Sequence, residues 1–154
     1  MVIAVVGKAG KTFADAIADY EKRAARYWPF ELVEVKAVKA GSKPDDDVRA
    51  AEAEALLERM PRDVEIIAMT RAGERWSSDQ LSTYLQAHAL RSSAGVAFVI
   101  GGALGLGEPL LRRAKHRLAL SSMTLPHDMA RLIMAEQLYR AGTIARGEPY
   151  HKGR

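Results

Sequence analysis

The stretch Thr124–Arg154, TLPHDMARLIMAEQLYRAGTIARGEPYHKGR, decides how the chain is read. Pro126 opens a helix, because its fixed φ suits the first helical turn and its missing N–H would have no partner there. Apolar residues recur at helical spacing to about Gly142, and a wheel of about 100° per residue sets Met129, Leu132, Ile133 and Tyr139 on one arc. Glu136 and Arg140 fall within that arc, four residues apart with the acid on the N-terminal side. This predicts a buried or interfacial ion pair, since unpaired charge there is costly. Such a pair either fixes the helix against its own domain or a partner, or presents Arg140 to a site. His127 and Arg131 are also four apart, at the helix start, where free backbone N–H groups can hold an anion. Beyond the helix, Tyr150 can stack on an unpaired base, and Arg146, Lys152 and Arg154 can meet phosphates. The plainer reading of that tail is a solvated terminus.

Ahead of this helix, strands and helices alternate. Met1–Val6 is an apolar run closed by Gly7, and Phe13, Ile17, Tyr20 and Ala24 mark a helix to about Arg26. Phe30–Val38 alternates as a half-exposed strand, and a helix from about Asp47 to Met60 is stopped by Pro61. Val64–Met69 and Gly95–Ile100 read as strands around a helix to about Leu90, for which Ser77 and Gln80 have capping-box spacing. Pro109 opens a helix with Leu110, Leu111, Ala114 and Leu118 on one side, and Leu118–Ser121 can form a fifth strand. The pattern predicts an α/β fold, a mostly parallel sheet with helices on both faces. Sheets of this kind bind ligands beyond the carboxyl ends of their strands, which selects the loops Thr70–Ser77, Gly101–Gly107 and Ser121–Pro126.

Length and composition narrow the classes. A chain of 154 residues with 48% apolar content fits one domain with its own core. No cysteine is present, so neither a disulfide scaffold nor a thiolate zinc site is possible. His88, His116, His127 and His151 are scattered, with no HxxxH or HExxH, and no metal is expected. The opening run has no basic segment before it, and no stretch reaches the roughly 18 apolar residues of a membrane span, so a cytoplasmic protein is expected. A formal charge of +4 favours a polyanionic partner. The glycines at 101, 102, 105 and 107 let backbone approach a ligand, but neither Walker spacing nor GxGxxG is present, which disfavours an ATP phosphate cradle.

The stretch TLPHDMARLIMAEQLYRA followed by GEPYHKGR, with FVIGG before it and KAGK and FELVEVK near the N-terminus, closely resembles a SPOUT-class family. Its members are the bacterial methyltransferases that modify N3 of a pseudouridine in 23S ribosomal RNA. The resemblance covers essentially the whole chain. It implies a homodimer of one α/β domain, with a C-terminal deep trefoil knot and cofactor site over about residues 95–145 and a substrate tail at 146–154. It also implies S-adenosylmethionine held in the knot by three loops: Met69 and Thr70; Gly101 and Gly102; and Ser121, Met123, Thr124, Leu125 and His127. Family positions match Arg131, Glu136, Gln137, Tyr139 and Arg140 around the site and dimer seam, and Tyr150 and His151 near the target nucleotide. The chain departs from the usual Leu-Asp at Met69-Thr70, and from Gly-Gly-Pro-Glu-Gly at Gly101–Gly105.

The implied reaction gives these residues roles. The N3 imide proton must leave, His151 is the candidate base, and Tyr150 can stack on or orient the nucleobase. Arg131 and Arg140 can favour the developing anion or bind phosphate. Two other readings stand beside this one: a noncatalytic RNA- or ribosome-binding protein, and a SPOUT methyltransferase acting on transfer RNA.

Overall fold

The computed structural model describes residues 1–39, 41–90 and 95–152; the side chains of His151 and Lys152 lie outside that description. Two uninterrupted apolar runs, β1 (Val2–Val6) and β4 (Val96–Ile100), are buried at every position and pair at the centre of the sheet. With β2 (Glu31–Val35), β3 (Glu65–Glu74) and β5 (His116–Leu118) they form a five-stranded sheet in the order β2-β1-β4-β3-β5. Every pairing is parallel. Helices cover both faces, as such a sheet requires.

Strand alternation sorts the core into two layers. Val2, Ala4 and Val6 face α2 (Asp45–Arg59) and α4 (Glu108–Arg113), where they pack with Ala53, Leu56 and Leu110. Ile3 and Val5 face the side built by α1 (Lys11–Ala24), α3 (Ser78–Ala89) and α5 (His127–Ala145), with Leu81, Leu85, Met134, Leu138 and Ala141. Ser77 and Gln80 make both halves of the expected capping box at the start of α3.

Three expectations need correction. The helix opened by Pro109 ends at Arg113, because Ala114 is already extended, and Leu118 belongs to β5. The fifth strand is His116–Leu118 rather than Leu118–Ser121: its register is set by backbone pairing to Ile67, Ala68 and Met69, so the polar His116 and Arg117 are inside the strand. On α5 the deeply buried face is Arg131, Met134, Ala135, Leu138, Ala141 and Gly142, whereas Leu132, Ile133, Glu136 and Arg140 are half-buried. The helix is apolar on two sides, and its small residues, which count little on a wheel, mark the side that packs closest.

β3 also runs five residues past its expected end, and there the chain crosses itself. Leu118 lies opposite both Met69 and Glu74, and the Ala119 N–H donates to the Glu74 carbonyl at 2.8 Å. Gly73 is essential to the crossing, since a Cβ there would lie 2.5 Å from the carbonyl carbon and oxygen of Arg117 and from the Leu118 nitrogen.

α5 is held against its neighbours by two hydrogen bonds to its own carbonyls. The Ser82 hydroxyl donates to Ala141 O at 2.8 Å, and the Trp28 indole donates to Leu138 O at 2.9 Å. Gly142 allows the ring of Tyr27 to close on the helix: an alanine Cβ would fall 2.3 Å from its Cγ. Gly142→Ala therefore sets about 0.5–1 kcal/mol of helix propensity against about 1–3 kcal/mol of overpacking. The expected result is a net loss of about 1–2 kcal/mol in urea unfolding; a stabilised variant would contradict the packing described.

Candidate functional site

The carboxyl ends of β4 and β5 and the middle of β3 open into a cavity of about 510 Å³, within the usual range for small-molecule sites. Two of its walls are loops selected from the sequence; the third expected loop, Thr70–Ser77, is strand as far as Glu74. Met69 and Thr70 come from β3, Gly101 and Gly102 follow β4, and Ser121, Met123, Thr124 and Leu125 lead to His127 at the start of α5. All nine residues assigned to the cofactor thus share one cavity, joined by Arg49, Arg71 and Leu104 among others.

The glycine loop is shaped by contacts that exclude side chains. A Cβ on Gly101 would lie 2.5 Å from the carbonyl carbon of Gly105, and Gly105 (φ +85°) donates to Gly102 O at 3.0 Å. Gly107 rests on the Arg49 carbonyl of α2, where a Cβ would approach to 2.3 Å. Gly102 sits over Glu52, also on α2, whose Oε2 would be 2.9 Å from an added Cβ. Glu52 is 4% exposed; its Oε1 accepts from the Val38 N–H at 2.9 Å, and its Oε2 has no hydrogen-bond partner among the described residues. A buried carboxylate beneath the cavity floor escaped the sequence reading. The signal was there: Glu52 lies four residues from both Val48 and Leu56, a charge inside the apolar seam of α2.

The third loop is ordered by its own polar groups, with Ser121 Oγ accepting from Met123 N at 3.0 Å. Met123 remains 76% exposed at the cavity mouth. At the start of α5, Asp128 Oδ2 accepts from the Gly10 N–H at 3.0 Å and so ties this helix to the loop after β1. His127 Nε2 lies 3.1 Å from Asp128 Oδ1, within ion-pair reach for a protonated imidazole but not aligned as a hydrogen bond.

Of the residues assigned to the reaction, Arg131, Arg140 and Tyr150 do not line this cavity. Arg131 is buried between two acids: Nε donates to Glu21 Oε1 at 2.8 Å and Nη1 to Glu34 Oε1 at 2.7 Å. Burial opposes its charge, but the hydrogen bonds to Glu21 and Glu34 outweigh it and raise its pKa, so the guanidinium stays charged and links α5 to α1 and β2. Arg140 pairs with Glu136, as the sequence predicted, and its Cζ lies 5.0 Å from the centroid of the Tyr150 ring. Tyr150 donates to Glu136 Oε1 at 3.0 Å and packs on Tyr139 with ring centroids 4.5 Å apart. Burial, then hydrogen bonding to Tyr20 and Glu136, pushes the Tyr150 phenol well above its ordinary pKa, so it is a proton donor rather than a base. His151 falls in the short 3-10 helix Pro149–Lys152, with its side chain outside the described residues, as is that of Lys152; Arg154 is also outside them.

Among the described residues, no three His, Cys, Asp or Glu side chains are grouped to hold a metal, and no helix is long and apolar enough to cross a membrane.

This parallel sheet, with its chain crossing and strand-end cavity, has the architecture of the knotted methyltransferases. A family model described as "Predicted SPOUT methyltransferase" matches residues 1–151, and the chain belongs to that family. Among curated proteins it is 52% identical to the ribosomal RNA large subunit methyltransferase H of Gemmatimonas aurantiaca over 139 residues, 90% of each chain. It is 44% identical to the protein of the same name from an Anaeromyxobacter species over 153 residues, 98% of this chain and 97% of the other. Among solved structures, a probable methyltransferase from Bordetella pertussis shares the fold with a TM-score of 0.55 at 16% identity, covering 91% of this chain and 93% of the other.

The Glu52 contact predicts a stability difference between two variants. Glu52→Ala takes the acceptor from the part-buried Val38 N–H and is expected to cost about 1 kcal/mol, whereas Glu52→Gln keeps an acceptor and most of the stability. Equal urea midpoints for Glu52→Ala and the parent protein would remove Glu52 as the support of the glycine loop.

Proposed function

We propose that the protein methylates N3 of a pseudouridine in large-subunit (23S) ribosomal RNA, using S-adenosylmethionine and acting as a homodimer on assembled ribosomes in the cytoplasm. The observation that carries this reading is the convergence of Met69, Thr70, Gly101, Gly102, Ser121, Met123, Thr124, Leu125 and His127 on one cavity at the strand ends. Its size suits a nucleoside-sized ligand, and the glycine contacts let main chain rather than side chains form one wall. The names of the curated relatives support the choice of large-subunit RNA. In this reading residues 1–154 are one domain, with the knot and cofactor site over about 95–145 and the substrate tail at 146–154.

The bound cofactor supplies an electrophilic methyl group on its sulfonium. The chain's own residues must orient the acceptor N3 in line with it and remove the imide proton. His151 is the proposed base. Tyr150, held protonated, stacks on or donates to the nucleobase, and Arg140 beside it offsets negative charge developing on the imide. Arg131, with both neighbouring carboxylates occupied by its own guanidinium, contributes by fixing the helix that begins at His127. The half-buried outer face of α5, with Leu132, Ile133 and the 37%-exposed Met129, is the proposed dimer seam.

The test is methyl transfer from labelled S-adenosylmethionine to unmodified assembled ribosomes, with the labelled nucleotide mapped. Label at N3 of a 23S pseudouridine is expected. Label only in transfer RNA, or cofactor binding with no transfer to any RNA, would replace this reading with one of its rivals. In the same assay His151→Ala should lower the rate about 100-fold or more, as loss of a general base does. Tyr150→Phe should leave the pH profile unchanged in shape, because the phenol does not titrate near neutrality.

A further inference from the structure

Outside the cavity, the largest unexplained feature is a strip of arginines along the β5 edge of the sheet. Arg62, Arg71, Arg75, Arg112, Arg113 and Arg117 are all exposed, and among the described residues none has a carboxylate within ion-pair distance. By contrast Arg23, Arg49, Arg131 and Arg140 each sit on an acid. The strip's members come from separate segments that the fold brings together. Arg113 donates to the Arg62 carbonyl at 3.2 Å, and Arg117 to the Leu111 carbonyl at 3.3 Å. Gly73, between Arg71 and Arg75, lies against the Arg117 backbone, and the Trp76 ring packs on His116 with centroids 5.3 Å apart.

These main-chain hydrogen bonds hold guanidinium groups in place without neutralising them. Segments 62–75 and 108–117 carry seven Lys or Arg and four Asp or Glu, a surplus of three within a chain whose net charge is +4. Lys115 is the exception, since Glu65 takes it up at 2.7 Å. Charged side chains on an edge strand can serve merely to prevent edge-to-edge pairing. That purpose needs charge on β5 alone, whereas here arginines from the turn before β3, from its far end and from α4 are added. The strip also has a direction. It runs from Arg62, at the amino end of β3, to Arg71, which lines the cavity.

We propose that this edge is a docking track for the phosphodiester backbone of the RNA substrate, leading the strand to the cavity mouth. Arginine's planar fork suits phosphate oxygens, and a linear polyanion matches an extended row of cations better than a compact anion does. The track rests on the reading of the protein as an RNA methyltransferase, and it adds a binding surface that meets the cavity lining only at Arg71.

The test uses the full chain and unmodified assembled ribosomes. Association constants are measured across a range of potassium chloride concentrations for the parent, for the triple variant Arg112→Gln, Arg113→Gln, Arg117→Gln, and for the same three positions changed to Lys. S-adenosylmethionine titrations run in parallel. The Gln variant is expected to bind cofactor as the parent does, to lose about tenfold in ribosome affinity, and to show a log–log salt slope shallower by about 2, roughly 0.7 per lost phosphate contact. The Lys variant should recover most of the slope. A Gln variant with the parent's affinity and slope, while the parent methylates assembled ribosomes, overturns the track alone. A parent that neither binds nor methylates assembled ribosomes overturns the methyltransferase reading and the track together.

Discussion

Gly73 lies against the backbone of Arg117 and Leu118 at a separation no side chain could share, and the rest of the site depends on that contact. It lets the far end of β3 pass over β5, so that Leu118 faces Met69 and Glu74 at once. The chain leaving β5 is thereby directed past the ends of β3 and β4, where residues 119–126 become the third wall of the cavity. The pairing of β3 with β4 already sets Met69 beside Gly101, and the crossing adds Ser121 to them. The entropy of closing such an arrangement must be offset by burial, and the two apolar layers on either face of β1 and β4 supply it.

Polar side chains taken out of full solvent exposure then fix the elements around the cavity. Arg131 joins α5 to α1 and β2, Asp128 joins the start of the same helix to the loop after β1, and Glu52 joins α2 to Val38 below Gly102. The Arg131 ion pairs are not a strong source of net stability, because desolvation cancels much of the attraction between buried charges. The value of all these contacts is geometric: each has a narrow range of acceptable positions, and together they set where His127 and the glycine loop lie.

Much of the fold was legible in the sequence. β1 and β4 are buried on both faces and therefore read as continuous apolar runs, and the capping box at Ser77 and Gln80 is a local pattern. The Glu136–Arg140 pair was visible because both charges interrupt an apolar arc. β5 was misplaced because its three residues, two of them polar, are recruited by pairing with β3 and carry no hydropathy signal. The buried face of α5 was misjudged because Ala135, Ala141 and Gly142 pack tightly through their small size, while the larger Leu132 and Ile133 lie half-buried on the outside. Of the cavity, the strand-end rule found the loops after β4 and before α5, while the stretch from Thr70 that it took for a loop continues as β3 to Glu74. Glu52 was passed over because an acid on a helix is ordinarily a solvated one. The crossing at Gly73 joins residues more than 40 positions apart and left no periodic trace; only resemblance to a knotted family pointed to it.

The most direct test of the account is calorimetric titration of S-adenosylmethionine into the parent protein and into Gly73→Ala, each checked first for its sheet and helix content by circular dichroism. The account predicts binding at one site per chain in the parent and loss of binding in the variant, with most secondary structure retained. A Gly73→Ala protein that binds the cofactor as tightly as the parent would contradict it.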